Sequence, residues 1–414
     1  MIFGTPLGVL FLLGDIMLDS VLPNKHLTAE QQDVFNEILD FCHTNLKNNT
    51  KGLFQLNGDA GTGKSVILTQ LFLNIESDSK QDSTDNYFLV NHPELLKVYQ
   101  DNAGDFSELR KNRFLRPTTF INRMNKDNKT ADVVVIDEAH LLLSEADRYN
   151  NFEQHNQLEE IIKLAKVVVI VYDERQVLKL KSYWSQHVID NLVTRFKLQY
   201  KLETLRVQMR MQAPRSVINW INDLTKSLKL DPIDSKKVEY LDGSNQNYDF
   251  RIYQDAEKMY RQLCHDNDKY TKSRIVATAD YPSTLDGKKH YVNEGDFHLP
   301  WDQYNYDRVT WAQKDSTINE IGSIYTVQGF DLNYVAVIIG PSVEYAGDGR
   351  IRINTNAYED QEAFKKRHEN DIDNIDEAKK TIILNSINVL LKRGVRGVYV
   401  YFHDSRIYDY LKES

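Results

Sequence analysis

A glycine-rich stretch that runs directly into a lysine and a serine carries the clearest chemical signal in this sequence. Residues 58–65 fit the pattern Gly-x-x-x-x-Gly-Lys-Ser between an apolar run at 53–57 and a helical run at 64–74, the context in which this pattern cradles phosphate. Lys64 then supplies charge to the β- and γ-phosphates, and Ser65 supplies a hydroxyl to Mg²⁺. The sequence therefore predicts a site for ATP and Mg²⁺ built from Gly58, Asp59, Ala60, Gly61, Thr62, Gly63, Lys64 and Ser65.

Two adjacent carboxylates follow a second apolar run, in which residues 133–136 lead into Asp137-Glu138-Ala139-His140. A carboxylate at the end of a buried strand can hold Mg²⁺, and we assign this role to Asp137. Glu138 can take the proton from an attacking water. The alternative is a pair of acids that caps a helix, but the phosphate-binding pattern upstream favours catalysis. His140 fits a structural hydrogen bond and a coupling role equally well.

A polar cluster, Asp173-Glu174-Arg175-Gln176, follows the apolar run 167–172. Polar residues at the carboxyl end of a strand lie beside the ligand crevice of an open α/β sheet. Gln176 is therefore a candidate to orient the attacking water or to sense the γ-phosphate. The alternative is an ordinary polar loop.

Residues 110–129 form a basic segment with seven basic residues and one acidic residue, although the chain carries a net charge of −9. Local positive charge suits a phosphate backbone, and aromatic rings can stack on bases. We predict contacts with single-stranded DNA or RNA at Arg113, Arg116, Phe120 and Arg123. The alternative is a solvated helix and loop whose phenylalanines belong to the core.

The sequence predicts that these residues are positioned by two α/β units with parallel sheets, because continuous apolar strands alternate with helical stretches. We predict an apolar lead-in at 1–26, a first domain at 27–200 and a second at 201–414, with an insert at about 280–318. Strands are predicted at 87–91, 202–205, 274–279, 322–327, 334–340 and 397–402, besides the apolar runs above. Helices are predicted at 27–42, 158–164, 217–228 and 379–392.

Composition narrows the class of protein. The 414 residues are 41% hydrophobic and 27% charged, which excludes a disordered or fibrous chain. The chain has 2 cysteines, which excludes a disulfide framework and favours a reducing compartment. No apolar run reaches the length of a membrane span, and the N-terminal apolar run lacks the positive charge that precedes a signal sequence. We expect a cytoplasmic monomer.

Taken together, these motifs resemble a superfamily 1 helicase, and more narrowly the Schlafen-type DNA/RNA helicase domain. The resemblance runs from about Leu27 to the C-terminus. It implies two RecA-like domains with ATP in a cleft between them. It also assigns roles to further residues. Gln31 would read adenine, Arg210 and Arg393 would reach the γ-phosphate from the second domain, and Thr326 and Gln328 would couple nucleic acid to the cleft.

The resemblance leaves alternatives open. The segment around Arg393 carries Lys392 and Asn388 where Thr and Arg are usual in the family, and the insert is small for a duplex-splitting element. We predict an ATP-driven helicase or single-strand translocase. A nucleotide-gated switch or scaffold in a defence or repair complex is the alternative. A one-domain phosphate-loop kinase is disfavoured by the second α/β unit.

Overall fold

Two parallel β-sheets organise the chain, one in each of two structural units. The first unit comprises residues 1–173 and 185–207, and the second comprises 174–184 and 208–414. The structure is a computed structural model that describes residues 26–59, 61–147, 151–182, 186–206, 211–232, 248–282, 288–303, 309–327, 330–365 and 374–413. The lead-in predicted for 1–26 therefore lies, except for His26, outside the described residues.

The first unit is a six-stranded parallel sheet with strand order β3-β2-β4-β5-β1-β6. Its central strands are buried on both faces, which explains their uninterrupted apolar sequences. The elements are α1 (Ala29–Asn48), β1 (Gly52–Gly58), α2 (Lys64–Asp82), β2 (Tyr87–Val90), α3 (Pro93–Asn102), β3 (Phe114–Leu115), α4 (Pro117–Asp127), β4 (Ala131–Asp137), α5 (Gln157–Leu164), β5 (Ala165–Tyr172), α6 (Gln186–Phe196) and β6 (Gln199–Leu205).

The second unit contains a four-stranded parallel sheet with strand order β7-β14-β11-β8 and two antiparallel hairpins. Its elements are α7 (Arg215–Asn222), β7 (Asp249–Tyr253), α8 (Ala256–Tyr270), β8 (Arg274–Ala277), β9 (His290–Glu294), β10 (Phe297–Trp301), α9 (Ile324–Val327), β11 (Leu332–Ile339), β12 (Val343–Gly347), β13 (Arg350–Ile353), α10 (Ile375–Leu391), β14 (Gly394–Phe402) and α11 (Ser405–Glu413). The two sheets confirm the predicted α/β class with parallel strands.

One predicted strand is wrong. Residues 322–327 were expected to be extended, because Ile, Tyr, Thr and Val favour strands, but the structure forms the short helix α9 at Ile324–Val327. The backbone N–H and the hydroxyl of Thr326 both donate to the carbonyl of Ser323, at 3.2 and 2.9 Å. These local bonds stabilise a turn and override the strand propensity of the side chains.

The predicted insert at 280–318 is more regular than its sequence indicated. It contains the hairpin of β9 and β10, which buries Val292, Phe297 and Trp301 in the core of the second unit.

Among the described residues, no helix combines the length and the apolar character that a bilayer span needs.

A buried arginine fixes part of this insert to the sheet. Arg274 at the start of β8 is 1% exposed, and its Nε donates to the Thr317 hydroxyl at 2.7 Å. Its guanidinium also donates to the carbonyls of Ser273 and Lys314. Burial lowers the pKa of Arg274, because it disfavours the charged form. The hydrogen bonds to these acceptors compensate for the lost hydration of the guanidinium.

We predict that Arg274→Ala lowers the free energy of unfolding by about 3 kcal/mol, because it opens a cavity and leaves buried acceptors without donors. Urea unfolding measures this loss. The control is Arg261→Ala on α8, whose side chain is 76% exposed and whose loss should stay within about 0.5 kcal/mol. Equal effects of the two substitutions would contradict the role assigned to Arg274.

Candidate functional site

The glycine-rich loop joins the end of β1 to the start of α2. Gly61 and Gly63 have φ angles of +84° and +83°, the left-handed region that favours glycine. Gly63 is the N-cap of α2 and has no side chain to bond the first turn. No N-cap side chain bonds the first backbone N–H groups of this 19-residue helix. These donors, together with the helix dipole, favour the binding of an anion at the N-terminus.

Lys64 is held over this loop. Its side-chain Nζ donates to the carbonyls of Gly58 and Asp59 at 2.5 and 2.9 Å, and it lies 3.7 Å from Oδ2 of Asp173 at the end of β5. Lys64 is 6% exposed. The ammonium is therefore fixed where the sequence predicted a charge for phosphate.

Gln31 bridges the first helix and the phosphate-binding loop. Its Oε1 accepts from the backbone N–H of Thr28 at 3.0 Å, which completes a capping box on α1. Its Nε2 donates to the carbonyl of Thr62 in the loop at 3.0 Å, and the residue is 3% exposed. Both ends of the carboxamide are engaged inside the unit. In the structure Gln31 therefore holds the phosphate-binding loop, and the adenine-reading role that the resemblance implied stays a prediction.

The predicted metal and base residues occupy the end of β4, which lies beside β5 in the sheet. Asp137 is 1% exposed, and its Oδ1 accepts from the backbone N–H of Glu138 at 3.0 Å. The Ser65 side chain lies close enough to the same carboxylate to lower the pKa of Asp137. The structure thus brings together Ser65 and Asp137, the two residues that the sequence assigned to Mg²⁺.

Glu138 adopts the left-handed backbone region, with φ +51°. This conformation is uncommon and costs a non-glycine residue about 1 kcal/mol, and such strain clusters at functional sites. The side chain of Glu138 is 20% exposed, and its Oε2 lies 3.4 Å from Nδ1 of the buried His140. A partly exposed carboxylate beside the predicted metal ligand suits the role of general base.

One residue of this site was missed by the sequence analysis. The hydroxyl of Tyr99, in α3, donates to Oδ2 of Asp137 at 2.6 Å. Burial, followed by the neighbouring Glu138 carboxylate, raises the pKa of Asp137 to about 6, and hydrogen bonds from Tyr99, Ser65 and the Glu138 backbone oppose that rise. Burial also raises the pKa of Tyr99 well above its ordinary value, so its hydroxyl remains a donor.

The cluster at 173–176 is divided between the two units. Asp173 belongs to the first unit, where it faces Lys64, and the following residues belong to the second. Arg175 donates to the side chains of Asn222, Thr225 and Asn388. Gln176 lies in a short 3₁₀ turn and is 5% exposed. Its predicted role toward water or phosphate stays a prediction.

The other predicted residues of the second unit are engaged locally. Arg393 is 1% exposed and donates to the carbonyl of Phe330 at 3.3 Å. Thr326 is half-buried and bonds Ser323. Arg210, Gln328 and, in the first unit, Ala60 lie outside the described residues. The roles predicted for these five residues stay predictions.

The basic segment is only partly a free charged surface. Phe120 is 0% exposed and packs against Tyr87, with ring centroids 5.1 Å apart, so the prediction that it stacks on bases is wrong. Arg113 forms an ion pair with Asp85 and lies over the ring of Tyr87. Its guanidinium is thus committed to the fold in this conformation.

Other cations of the segment remain available. Within the described part of the chain, Arg116 and Arg123 make long hydrogen bonds, 3.4 Å each, to the side chain of Asn91 and to the carbonyl of Asn112. A further set of basic side chains is exposed, namely Arg110, Lys111, Lys126 and Lys129. The basic side chains that could contact a phosphate backbone are therefore the exposed ones of the segment, while its aromatic rings are buried in the core.

The donor set fits the ligands that the sequence predicted. Ser65 and Asp137 present hard oxygen atoms, which Mg²⁺ prefers. The loop presents a helix N-terminus and a fixed ammonium, which suit phosphate. Both sets lie at one edge of the sheet, because β1, β4 and β5 are parallel neighbours whose carboxyl ends coincide.

We predict that Gln31→Ala weakens the binding of ATP and GTP by the same factor of about five, since the loss of one hydrogen bond, about 1 kcal/mol, loosens a loop that is predicted to bind the phosphates and not the base. Competition with a fluorescent nucleotide measures both affinities. The control is Gln32→Ala, an exposed neighbour on the same helix. A loss restricted to ATP would instead support the adenine-reading role.

The chain is similar to one protein family and to one yeast protein over most of its length. Residues 51–404 match the family described as Schlafen group 3, DNA/RNA helicase domain. The uncharacterized protein YPL245W of Saccharomyces cerevisiae is 40% identical over 417 residues, which cover 94% of this chain and 91% of the relative.

Solved structures show more distant likenesses. The Pif1 helicase from Candida albicans is 13% identical, with a TM-score of 0.36, over 94% of this chain and 99% of that chain. The Hef helicase domain from Pyrococcus furiosus is 10% identical, with a TM-score of 0.36, over 90% of this chain and 97% of that chain. The family match spans most of the sequence and includes the phosphate-binding loop and the carboxylates of β4. The chain belongs to the Schlafen group 3 DNA/RNA helicase domain family.

Proposed function

We propose that this protein hydrolyses ATP with Mg²⁺ and uses the energy to move along single-stranded DNA or RNA. The observation that carries this proposal is the edge of the first sheet, where the loop of Lys64, the carboxylates of Asp137 and Glu138, and Asp173 converge. Family membership supports a nucleic-acid motor in general.

Each group at this edge has a chemical task. The backbone donors of the loop and the N-terminus of α2 bind the phosphates, and Lys64 neutralises their charge. Ser65 and Asp137 hold the metal, which when bound screens the charge of the phosphate oxygens. Glu138 accepts the proton of the attacking water. Arg393 and Arg210 remain the candidates for the arginine that stabilises the transition state.

The alternative function, a nucleotide-gated switch, is favoured by one observation in the second unit. Asn388 and Lys392, the positions that depart from the family pattern, are both 0% exposed. Asn388 accepts from Arg175, and Lys392 donates to Asn222 at 3.0 Å. These side chains serve packing within the unit, so they offer no contact to a translocating strand in this conformation.

We predict that Glu138→Gln retains ATP binding and loses at least about 100-fold in turnover, because the substitution removes only the base. Lys64→Ala should lose both binding and turnover, because the phosphates lose their cation. Phosphate release and binding of a fluorescent ATP analogue measure the two quantities. Near-normal turnover of Glu138→Gln would refute the assignment of the base.

The same assay separates the motor from the switch. A motor should hydrolyse ATP faster when single-stranded DNA or RNA is added, because the strand promotes the productive state. A switch should bind ATP and the strand without that acceleration. Strand-independent hydrolysis by the wild type would therefore favour the alternative.

We predict that the pair Lys126→Glu and Lys129→Glu weakens single-strand binding and reduces the slope of log affinity against log salt by about 1.4, since each single-strand phosphate contact contributes about 0.7. Fluorescence anisotropy over a salt series measures the slope. The control reverses Lys258 and Arg261 on α8, which are each 76% exposed. An equal change in both pairs would exclude a specific role for the basic segment.

A further inference from the structure

Tyr99 connects the hydrophobic core of the first unit to the predicted metal site. The residue lies on α3, is 2% exposed, and belongs to the core cluster beneath the sheet. Its ring packs against those of Phe88 and Phe114, with centroids 4.6 and 6.0 Å away. A phenylalanine would satisfy these ring contacts equally well, so packing does not account for the hydroxyl.

The hydroxyl points at the carboxylate of Asp137. It donates to Oδ2 at 2.6 Å, the distance typical of a hydroxyl that donates to a charged oxygen. The other oxygen, Oδ1, accepts from the backbone N–H of Glu138. The two hydrogen bonds fix the orientation of the carboxylate group of Asp137. They thereby also fix the direction of the oxygen lone pairs that remain for Ser65 and for a cation.

We propose that Tyr99 is a positioning residue that orients the carboxylate of Asp137 for Mg²⁺, and this inference rests on the proposed function. Partners that hydrogen-bond a metal-ligating group set its orientation, and their removal commonly weakens metal binding 10- to 100-fold. Tyr99 is suited to the task because its own ring is packed against two core aromatics, Phe88 and Phe114, which also contact each other. The hydroxyl therefore cannot follow the carboxylate if that side chain rotates.

Tyr99→Phe tests the proposal, because it keeps the ring and removes only the hydroxyl. The measurement is the Mg²⁺ concentration at half-maximal effect on the binding of a fluorescent ATP analogue to the full chain. We expect this concentration to rise about tenfold. Binding of the analogue in EDTA should stay within about twofold, because the phosphate-binding loop is untouched.

Tyr87→Phe is the matched control. Tyr87 is also buried, at 5% exposure, and its hydroxyl donates to the carboxylate of Asp85 at 3.2 Å, away from the site. This variant should leave the Mg²⁺ dependence unchanged. Equal shifts in the two variants would show a general loss of stability and overturn the proposal.

A double-mutant cycle with Asp137→Asn shows whether Tyr99 acts through Asp137. If it does, Tyr99→Phe should cause no further shift in the Asp137→Asn background. An unchanged or lower Mg²⁺ requirement in Tyr99→Phe, or the same shift in both backgrounds, overturns the proposal. Failure of the wild type to bind the analogue in a Mg²⁺-dependent way would instead overturn the proposed function.

Discussion

The charge of Lys64 is the constraint on which the rest of the first unit depends. An ammonium at 6% exposure is tolerable only when oxygen atoms surround it. The loop provides two carbonyls, of Gly58 and Asp59, and β5 provides the carboxylate of Asp173. These partners require β1 and β5 to be parallel neighbours with coincident ends, which is the observed register. A phosphate in the loop would replace the two carbonyls with oxygens of higher charge.

The same contact lies at the point where the chain passes between the units. Asp173 faces Lys64 in the first unit, and Arg175, two residues later, is bonded to Asn222, Thr225 and Asn388 in the second. The carboxamide of Asn385 on α10 also holds the carbonyls of Glu174 and Val177, at 2.8 and 2.9 Å. The chain therefore passes within one peptide bond from Asp173, which pairs with Lys64, to Glu174, whose carbonyl is held by α10.

The sequence was sufficient wherever a feature is local. The buried central strands β4, β5 and β11 are largely apolar runs, and the loop at 58–65 is a pattern of consecutive residues. Residues 322–327 have the composition of a strand but form helix α9, because both the backbone N–H and the hydroxyl of Thr326 bond the carbonyl of Ser323. The bonds of Tyr99 to Asp137 and of Gln31 to Thr62 join residues far apart in the chain and follow no spacing rule. Only the fold could reveal them.

Charge counting along the sequence overstated the nucleic-acid surface for a related physical reason. A cation can be stabilised by the face of an aromatic ring and by a carboxylate, and these contacts compete with its hydration. Arg113 makes both contacts, with the ring of Tyr87 and the carboxylate of Asp85. Phe120 lies on the buried face of α4, where it extends the same core. The basic residues that remain for a nucleic-acid strand are the exposed ones, which lie before α4 at Arg110 and Lys111 and at or just beyond its end at Lys126 and Lys129. If these cations bind nucleic acid, they do so on the same unit that holds the phosphate-binding loop, so the first unit would carry both ligands.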